Sequence, residues 1–194
     1  DPATSAISVA ALGRILAMLR ASSGHDFSLY KKSTLGRRVE RRMTQHHIDD
    51  AEVYVRYAKE HPDELQALFR ELLINVTSFF RDPEAFAVLK RKVLPALLEG
   101  RPEDAPLRIW VTGCATGEEV YSVAIVVREW MDESRSDCKV QLYGTDLDDD
   151  AIRAARAALY PPNIAQDLSP ERLRRFFTKE AGGYRVRKEI REMA

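Results

Sequence analysis

The chain has 194 residues, 45% apolar and 31% charged, which describes a soluble globular protein long enough for one large domain or two small ones. Thirty basic and thirty acidic residues cancel, so net charge lends no support to a general affinity for nucleic acid. No apolar run approaches a membrane span, two cysteines cannot frame a disulfide scaffold, and no basic leader precedes the first apolar stretch, so a cytoplasmic chain with reduced thiols is expected.

From Ile7 to about Leu73 the pattern is helical. Leu12, Ile15, Leu16 and Leu19 recur at helical spacing, and Ser22, Ser23 and Gly24 break that helix. A second helix is predicted from about Ser33 to Gln45, with Leu35, Val39 and Met43 as its apolar stripe. Asp49, Asp50, Ala51 and Glu52 open a third, and Pro62 starts a fourth in which Leu65, Leu68, Phe69, Leu72 and Leu73 repeat at core spacing. The segment NVTSFFRDPEAF, residues 75–86, reads as a joint, because β-branched and aromatic residues interrupt the helix before Asp82 caps a new one with Pro83 at its first position. That helix runs to about Leu98, and the Pro-containing charged stretch 99–106 reads as a linker. Residues 1–98 are therefore assigned to a helical N-terminal domain and residues 107–194 to an α/β domain.

In the α/β part, LRIWVTGCATGEEVYS writes a strand, a glycine turn and a helix start into one stretch, from Leu107 to Ser122. Gly113 and Gly117 let backbone pass close to a ligand at the helix N-terminus. A second strand, Val140 to Gly144, stops at Thr145 and Asp146, where a carboxylate would meet ribose hydroxyls. Further on, a helix covers Asp149 to Ala158, Tyr160, Pro161 and Pro162 break it, Ser169 and Pro170 start another, and Gly182 and Gly183 form a turn.

The glycines are four apart, which is not the GxGxxG dinucleotide fingerprint. Carboxylates at Glu118 and Glu119 suit the helix dipole, but they would repel a pyrophosphate and attract an ammonium or sulfonium group. This favours a cofactor such as S-adenosylmethionine over NAD. Arg81 follows two phenylalanines. It is read either as a local ion pair with Asp82 or Glu84 or as a bidentate clamp for the carboxylate of an amino-acid cofactor or an acidic substrate. Arg37, Arg38, Arg41 and Arg42 form a basic face beside the second helix's apolar stripe, either solvated or a partner surface. His25, His46, His47 and His61 show no metal-ligand spacing and are read as surface residues. Cys114 is read as a small buried residue, not a nucleophile.

Taken together, LGRRVERRM, LLINVTSFFRDPEAF, IWVTGCATGEEVYS, YGTDLDDDAIRAAR and LSPERLRRFF resemble the chemotaxis receptor methyltransferases, the CheR-type protein-glutamate O-methyltransferases. LLINVTSFFRDPEAF and RIWVTGCATGEE look closest to the methyltransferase part of fusions with the receptor methylesterase. The resemblance implies an all-helical N-terminal domain before a Rossmann-like S-adenosylmethionine domain. It assigns Asn75, Thr77, Arg81, Gly113, Gly117, Glu119 and Asp146 to the cofactor, Arg81 also to the catalytic role, and Arg37, Arg38, Arg41 and Arg42 to docking on the cytoplasmic helices of methyl-accepting receptors. A fused or partner methylesterase, S-adenosylhomocysteine as product, and no metal, nucleic acid or membrane insertion complete that expectation.

A glutamate carboxylate, with a reference pKa of about 4.3, is already ionised and nucleophilic at neutral pH, so the reaction needs positioning and desolvation and no general base. Val120 departs from the proline many members have after GEE. The family's adenine-side asparagine, later CRN segment and small β subdomain are absent, so the α/β domain reads as incomplete. The competing function is a non-catalytic signalling module that binds a partner through its basic helix, and a nucleic-acid methyltransferase is disfavoured by neutral charge and the lack of a base-stacking aromatic motif.

Overall fold

A computed structural model describes residues 7–73, 76–102 and 105–194. Backbone contacts divide the chain into two compact units, residues 1–74 and 75–194. The joint and the helix after it, grouped by sequence with the helical domain, thus belong to the second unit, where Phe79, Phe80 and Leu94 enter its core.

Among the described residues the first unit contains four helices. In α1 (Val9–Ser23) the Ser8 hydroxyl accepts the Ala11 N–H at the start, and Gly24 closes the end at φ 76°. It is followed by α2 (Lys32–Gln45), α3 (Ala51–Glu60), capped by Asp50, and α4 (Pro62–Leu72), which has proline at its first position. Helix α1 packs on α3 and α4, and α2 and α3 also pack on α4. Ile15, Leu19, Phe27, Leu35, Val39, Tyr54 and Leu68 fill the space between them.

One charged side chain lies in that core. Glu64, only 4% exposed, accepts hydrogen bonds from Arg42 Nε at 2.9 Å and Nη2 at 2.5 Å, and from the Tyr54 hydroxyl at 2.6 Å. His46 Nε2 lies 2.6 Å from the same carboxylate, and the Tyr57 hydroxyl sits 3.3 Å from His46 Nδ1. Burial alone would push the Glu64 carboxyl up, but the bonds from Arg42, Tyr54 and His46 hold it below its ordinary value. Of the four histidines expected at the surface, two are partly buried: His25, with its ring 5.0 Å from Phe69, and His46, against a glutamate that its own helix's hydrophobic stripe does not reveal.

The second unit opens with α5 (Pro83–Val88), a π-helical segment Leu89–Val93 and α6 (Leu94–Leu98) in one continuous rod. Pro95 has no N–H to offer the Arg91 carbonyl, and one residue earlier the Leu94 N–H reaches back five residues to Leu89. Strands β1 (Leu107–Thr112) and β2 (Val140–Thr145) pair in parallel, Leu107 opposite Val140 through Thr112 opposite Thr145, joined by the crossover helix α7 (Glu118–Ser134). Val120 through Val127 are buried almost without interruption, so α7 sits at the centre of this unit's core. Leu107, Val111 and Leu142 face that core, while Trp110 and Tyr143, directly opposite each other, face solvent. The outer edge of β2 is partly engaged, since the Leu142 N–H donates to the Met193 carbonyl.

Beyond α8 (Asp149–Ala157) the expectation that the chain lacks a small β subdomain is corrected: a small antiparallel sheet is present, its strands too short to show an alternating pattern in the sequence. Strands β3 (Leu159–Tyr160), β4 (Phe177–Glu180) and β5 (Gly183–Val186) pair in the order β3-β5-β4, with α9 (Pro170–Phe176) before β4 and α10 (Lys188–Arg191) after β5. The predicted turn at Gly182 and Gly183 is the β4–β5 hairpin end. Gly183 backs onto the Tyr160 carbonyl so closely that a Cβ there would lie 1.9 Å from the oxygen. Among the described residues no helix is long and apolar enough to cross a membrane.

Candidate cofactor site

Between β1 and α7 the backbone turns left-handed three times in five residues: Gly113 at φ 66°, Ala115 at 47° and Gly117 at 94°. The two glycines serve different ends. A Cβ on Gly117 would lie 2.9 Å from Ala155 Cβ and 3.0 Å from the Tyr160 hydroxyl, so close packing demands glycine there. A Cβ on Gly113 would meet nothing within 4 Å, and the space above it is open to a ligand.

The loop is fixed to the end of β2 from two sides. The Cys114 N–H donates to the Thr145 carbonyl at 3.0 Å, and the Ala115 N–H to Asp146 Oδ2 at 2.8 Å. The other carboxylate oxygen of Asp146 accepts the Asp148 N–H at 2.9 Å, while Asp148 itself caps α8. An ionised carboxylate offers about four lone-pair positions, so Asp146 keeps acceptor capacity for ligand hydroxyls after these two bonds.

The two first-turn glutamates of α7 diverge. Glu118 is buried and accepts the Thr116 hydroxyl at 2.6 Å, whereas Glu119 is exposed at the loop. Burial, and then the negative charge of Asp146, Glu119 and Glu118, pushes the Cys114 thiol above its ordinary range. The same field marks the loop as a place where a cation is welcome and a pyrophosphate is not.

Asn75 lies outside the described residues. Thr77 is half-buried, and Arg81 is exposed with its guanidinium donating to the Val76 carbonyl at 2.9 Å. Arg81 forms no ion pair with Asp82 or Glu84; Asp82 is turned to the Ala85 N–H as the cap of α5. The joint is held against α7, the Phe80 N–H donating to the Ser122 hydroxyl at 3.1 Å. The backbone that carries Arg81 is thus anchored beside α7 through Phe79 and Phe80, while the Arg81 side chain itself is exposed.

The four arginines of α2 do not form one uniform face. Arg42 turns inward to Glu64 with a side chain 17% exposed, and Arg38 and Arg41 share Glu71 of α4 at 3.5 and 3.2 Å. Arg37 is exposed and has no ion pair among the described residues.

Sequence reasoning passed over Tyr160, read only as a helix breaker, and Ser122, read only as the end of a motif. The hydroxyl of Tyr160 donates to the Thr116 carbonyl at 2.8 Å inside the glycine loop. A serine in the middle of an apolar helical run was the available signal for Ser122.

The family model described as CheR methyltransferase, all-alpha domain, matches residues 10–73, and that described as CheR methyltransferase, SAM binding domain, matches residues 75–194. The chain belongs to the CheR methyltransferase family. Its second unit is the family's S-adenosylmethionine-binding domain, and the boundary between the two matches is the boundary between the two compact units. The chain is 40% identical over 182 residues to the uncharacterized 104.1 kDa protein in the hypE 3' region of Rhodobacter capsulatus, which covers 94% of this chain and 19% of that one. It is 29% identical over 154 residues to the chemotaxis protein methyltransferase of Borreliella burgdorferi, covering 77% and 54%. With the chemotaxis protein methyltransferase of Salmonella typhimurium the identity is 28% over 191 residues, covering 95% and 63%. The chain thus spans between about a fifth and two thirds of the length of these relatives.

Proposed function

We propose that this CheR chain serves S-adenosylmethionine-dependent methylation of glutamate side chains on the cytoplasmic helices of chemotaxis receptors, in the cytoplasm, with a methylesterase as fused or separate partner. The observation that carries the cofactor part is the loop itself: open space over Gly113, an exposed Glu119, and Asp146 with acceptor capacity to spare, all within one acidic field. In this reading Asp146 accepts the ribose hydroxyls and Glu119 meets the cationic end of the ligand. Gly113 allows the backbone's approach, Gly117 holds the loop against Ala155 and Tyr160, and Thr77 and Arg81 close the site from the joint, with Asn75 assigned to it by the family resemblance alone. Bound S-adenosylmethionine would supply an electrophilic methyl group on a sulfonium centre.

The chain's own residues then have a limited task. The substrate carboxylate is ionised at neutral pH and needs no base, so Arg81 has to orient an acidic group without neutralising its reactive oxygen. Its guanidinium, spent only on a backbone carbonyl among the described residues, keeps donors for that purpose. Docking falls to Arg37, Arg38 and Arg41, which face outward or share one glutamate, with Arg42 supporting the helix from inside.

The test is transfer of a labelled methyl group from S-adenosylmethionine to a receptor cytoplasmic fragment. Label released as methanol by alkali is the expected result, because a carboxyl ester hydrolyses there. Alkali-stable label would refute glutamate as the acceptor, and no label on a receptor that binds the protein would favour the non-catalytic reading.

A further inference from the structure

We propose that Ser122 and Tyr160 are positioning residues that lock the joint and the glycine loop into one unit, so that the two sides of the cofactor site move together. The proposal rests on the reading above that both segments hold cofactor. Ser122 ties the joint to the first turn of α7, which the loop leads into, and Tyr160 ties the joint to the loop itself. The Ser122 hydroxyl, fully buried, accepts the Phe80 N–H at 3.1 Å and donates to the Glu118 carbonyl at 2.7 Å, using its single donor. The Tyr160 hydroxyl donates to the Thr116 carbonyl, and its ring stands edge-on to Phe79 with centroids 4.9 Å apart. Two adjacent joint residues, Phe79 and Phe80, are thereby tied to Thr116 of the glycine loop and to Glu118 in the first turn of α7.

A serine bonding back to the carbonyl four residues earlier is common in helices and needs no functional account. The second bond does. Phe80 has φ 51°, a left-handed conformation that is a true outlier for a bulky aromatic residue and persists only where its surroundings impose it. Ser122 supplies one constraint through the Phe80 N–H; the Phe86 ring, 5.1 Å away, and the Arg172 guanidinium, 4.0 Å over the Phe80 ring, supply others. The next residue is Arg81, so the strained turn sets the direction in which the joint delivers its guanidinium. On the loop side, Tyr160 lies 3.0 Å from where a Gly117 Cβ would stand, which fixes the height of the loop as well as its carbonyl. Neither residue reaches the open space over Gly113, so each acts through what it holds.

Two measurements on Ser122→Ala and Tyr160→Phe decide the matter. The first is a calorimetric double-mutant cycle with S-adenosylhomocysteine. Ser122→Ala should weaken binding about tenfold in the unaltered chain and have little effect in an Arg81→Ala background, because the group it orients is gone. Equal losses in both backgrounds would show a merely structural residue and overturn the proposal. The second needs no ligand. Tyr160→Phe keeps the ring against Phe79 and removes only the hydroxyl, and amide exchange should then accelerate at Phe80 as well as at Gly117. Acceleration confined to Gly117 would refute the coupling. If the unaltered chain does not bind S-adenosylhomocysteine at all, the cofactor reading fails, and the exchange result alone decides whether the two segments are tied.

Discussion

The Asp146 carboxylate accepts the Ala115 N–H at 2.8 Å across 31 residues of sequence, joining the end of β2 to the turn that follows β1. The residue expected to meet the ligand is thus also the clasp of the loop that would cradle it. Asp146→Ala should therefore act twice. Stability should fall by about 1–2 kcal/mol, as for a buried amide left without its acceptor, and affinity for S-adenosylhomocysteine should fall at least tenfold. Denaturant unfolding and calorimetry read the two effects separately. A stability loss with unchanged affinity would leave Asp146 a clasp only.

Gly117→Ala should be the more damaging of the two loop-glycine substitutions. The new Cβ would stand 2.9 Å from Ala155 at φ 94°, whereas at Gly113 only the φ of 66° opposes a side chain. A thermal midpoint lower for Gly117→Ala than for Gly113→Ala is expected. The reverse order would mean that the packing of α8 against the loop yields.

Glu64 should make the helical unit acid-sensitive. Its carboxyl is held below the unfolded value of about 4.3 by Arg42, Tyr54 and His46, so its contribution is present above that pH and lost as pH falls through the lower, folded value. Glu64→Gln, which strands the partly buried Arg42, should cost about 3 kcal/mol near neutrality. The gap between the thermal midpoints of the two proteins should narrow below about pH 4. A gap that stays constant from pH 6 to pH 3 would contradict the assignment.

Replacing Arg37, Arg38 and Arg41 with alanine should weaken association with an acidic receptor helix and reduce its salt dependence, leaving affinity for S-adenosylhomocysteine alone. Glu71→Gln should do the opposite for docking, because it releases the two arginines that share it. Arg42→Ala should instead lower the melting temperature of the helical unit. Association unaffected by the triple substitution would identify these arginines as a solvated face.

Much of the architecture was legible because it is written in local patterns. The apolar stripes of α1 to α4, the Asp82-Pro83 start of α5 and the strand–glycine–helix transition at Thr112–Glu118 each carry their signal within a few residues. The β3-β5-β4 sheet was not, since FTKE and GYRV are four-residue strands without an alternating pattern, paired only through tertiary contact. The domain boundary was misplaced for a related reason: helical periodicity continues into α5 and α6, and only packing of Phe80 and Leu94 into the second core shows which unit owns them. The site divides in the same way. Gly113, Gly117, Glu119 and Asp146 stand out by residue type at a strand end, whereas the inward turn of Arg42 depends on Glu64, an acid 22 residues away.

The central claim is that the second unit binds an S-adenosyl cofactor through the loop between β1 and α7 and the carboxylates beside it. Calorimetric titration of the chain with S-adenosylhomocysteine, repeated with Glu119→Ala, tests it most directly. Glu119 is exposed, so its removal leaves the packing of α7 intact. The account predicts saturable one-to-one binding that weakens at least tenfold in the variant, whose melting temperature is unchanged. Binding of equal strength by both proteins would contradict it.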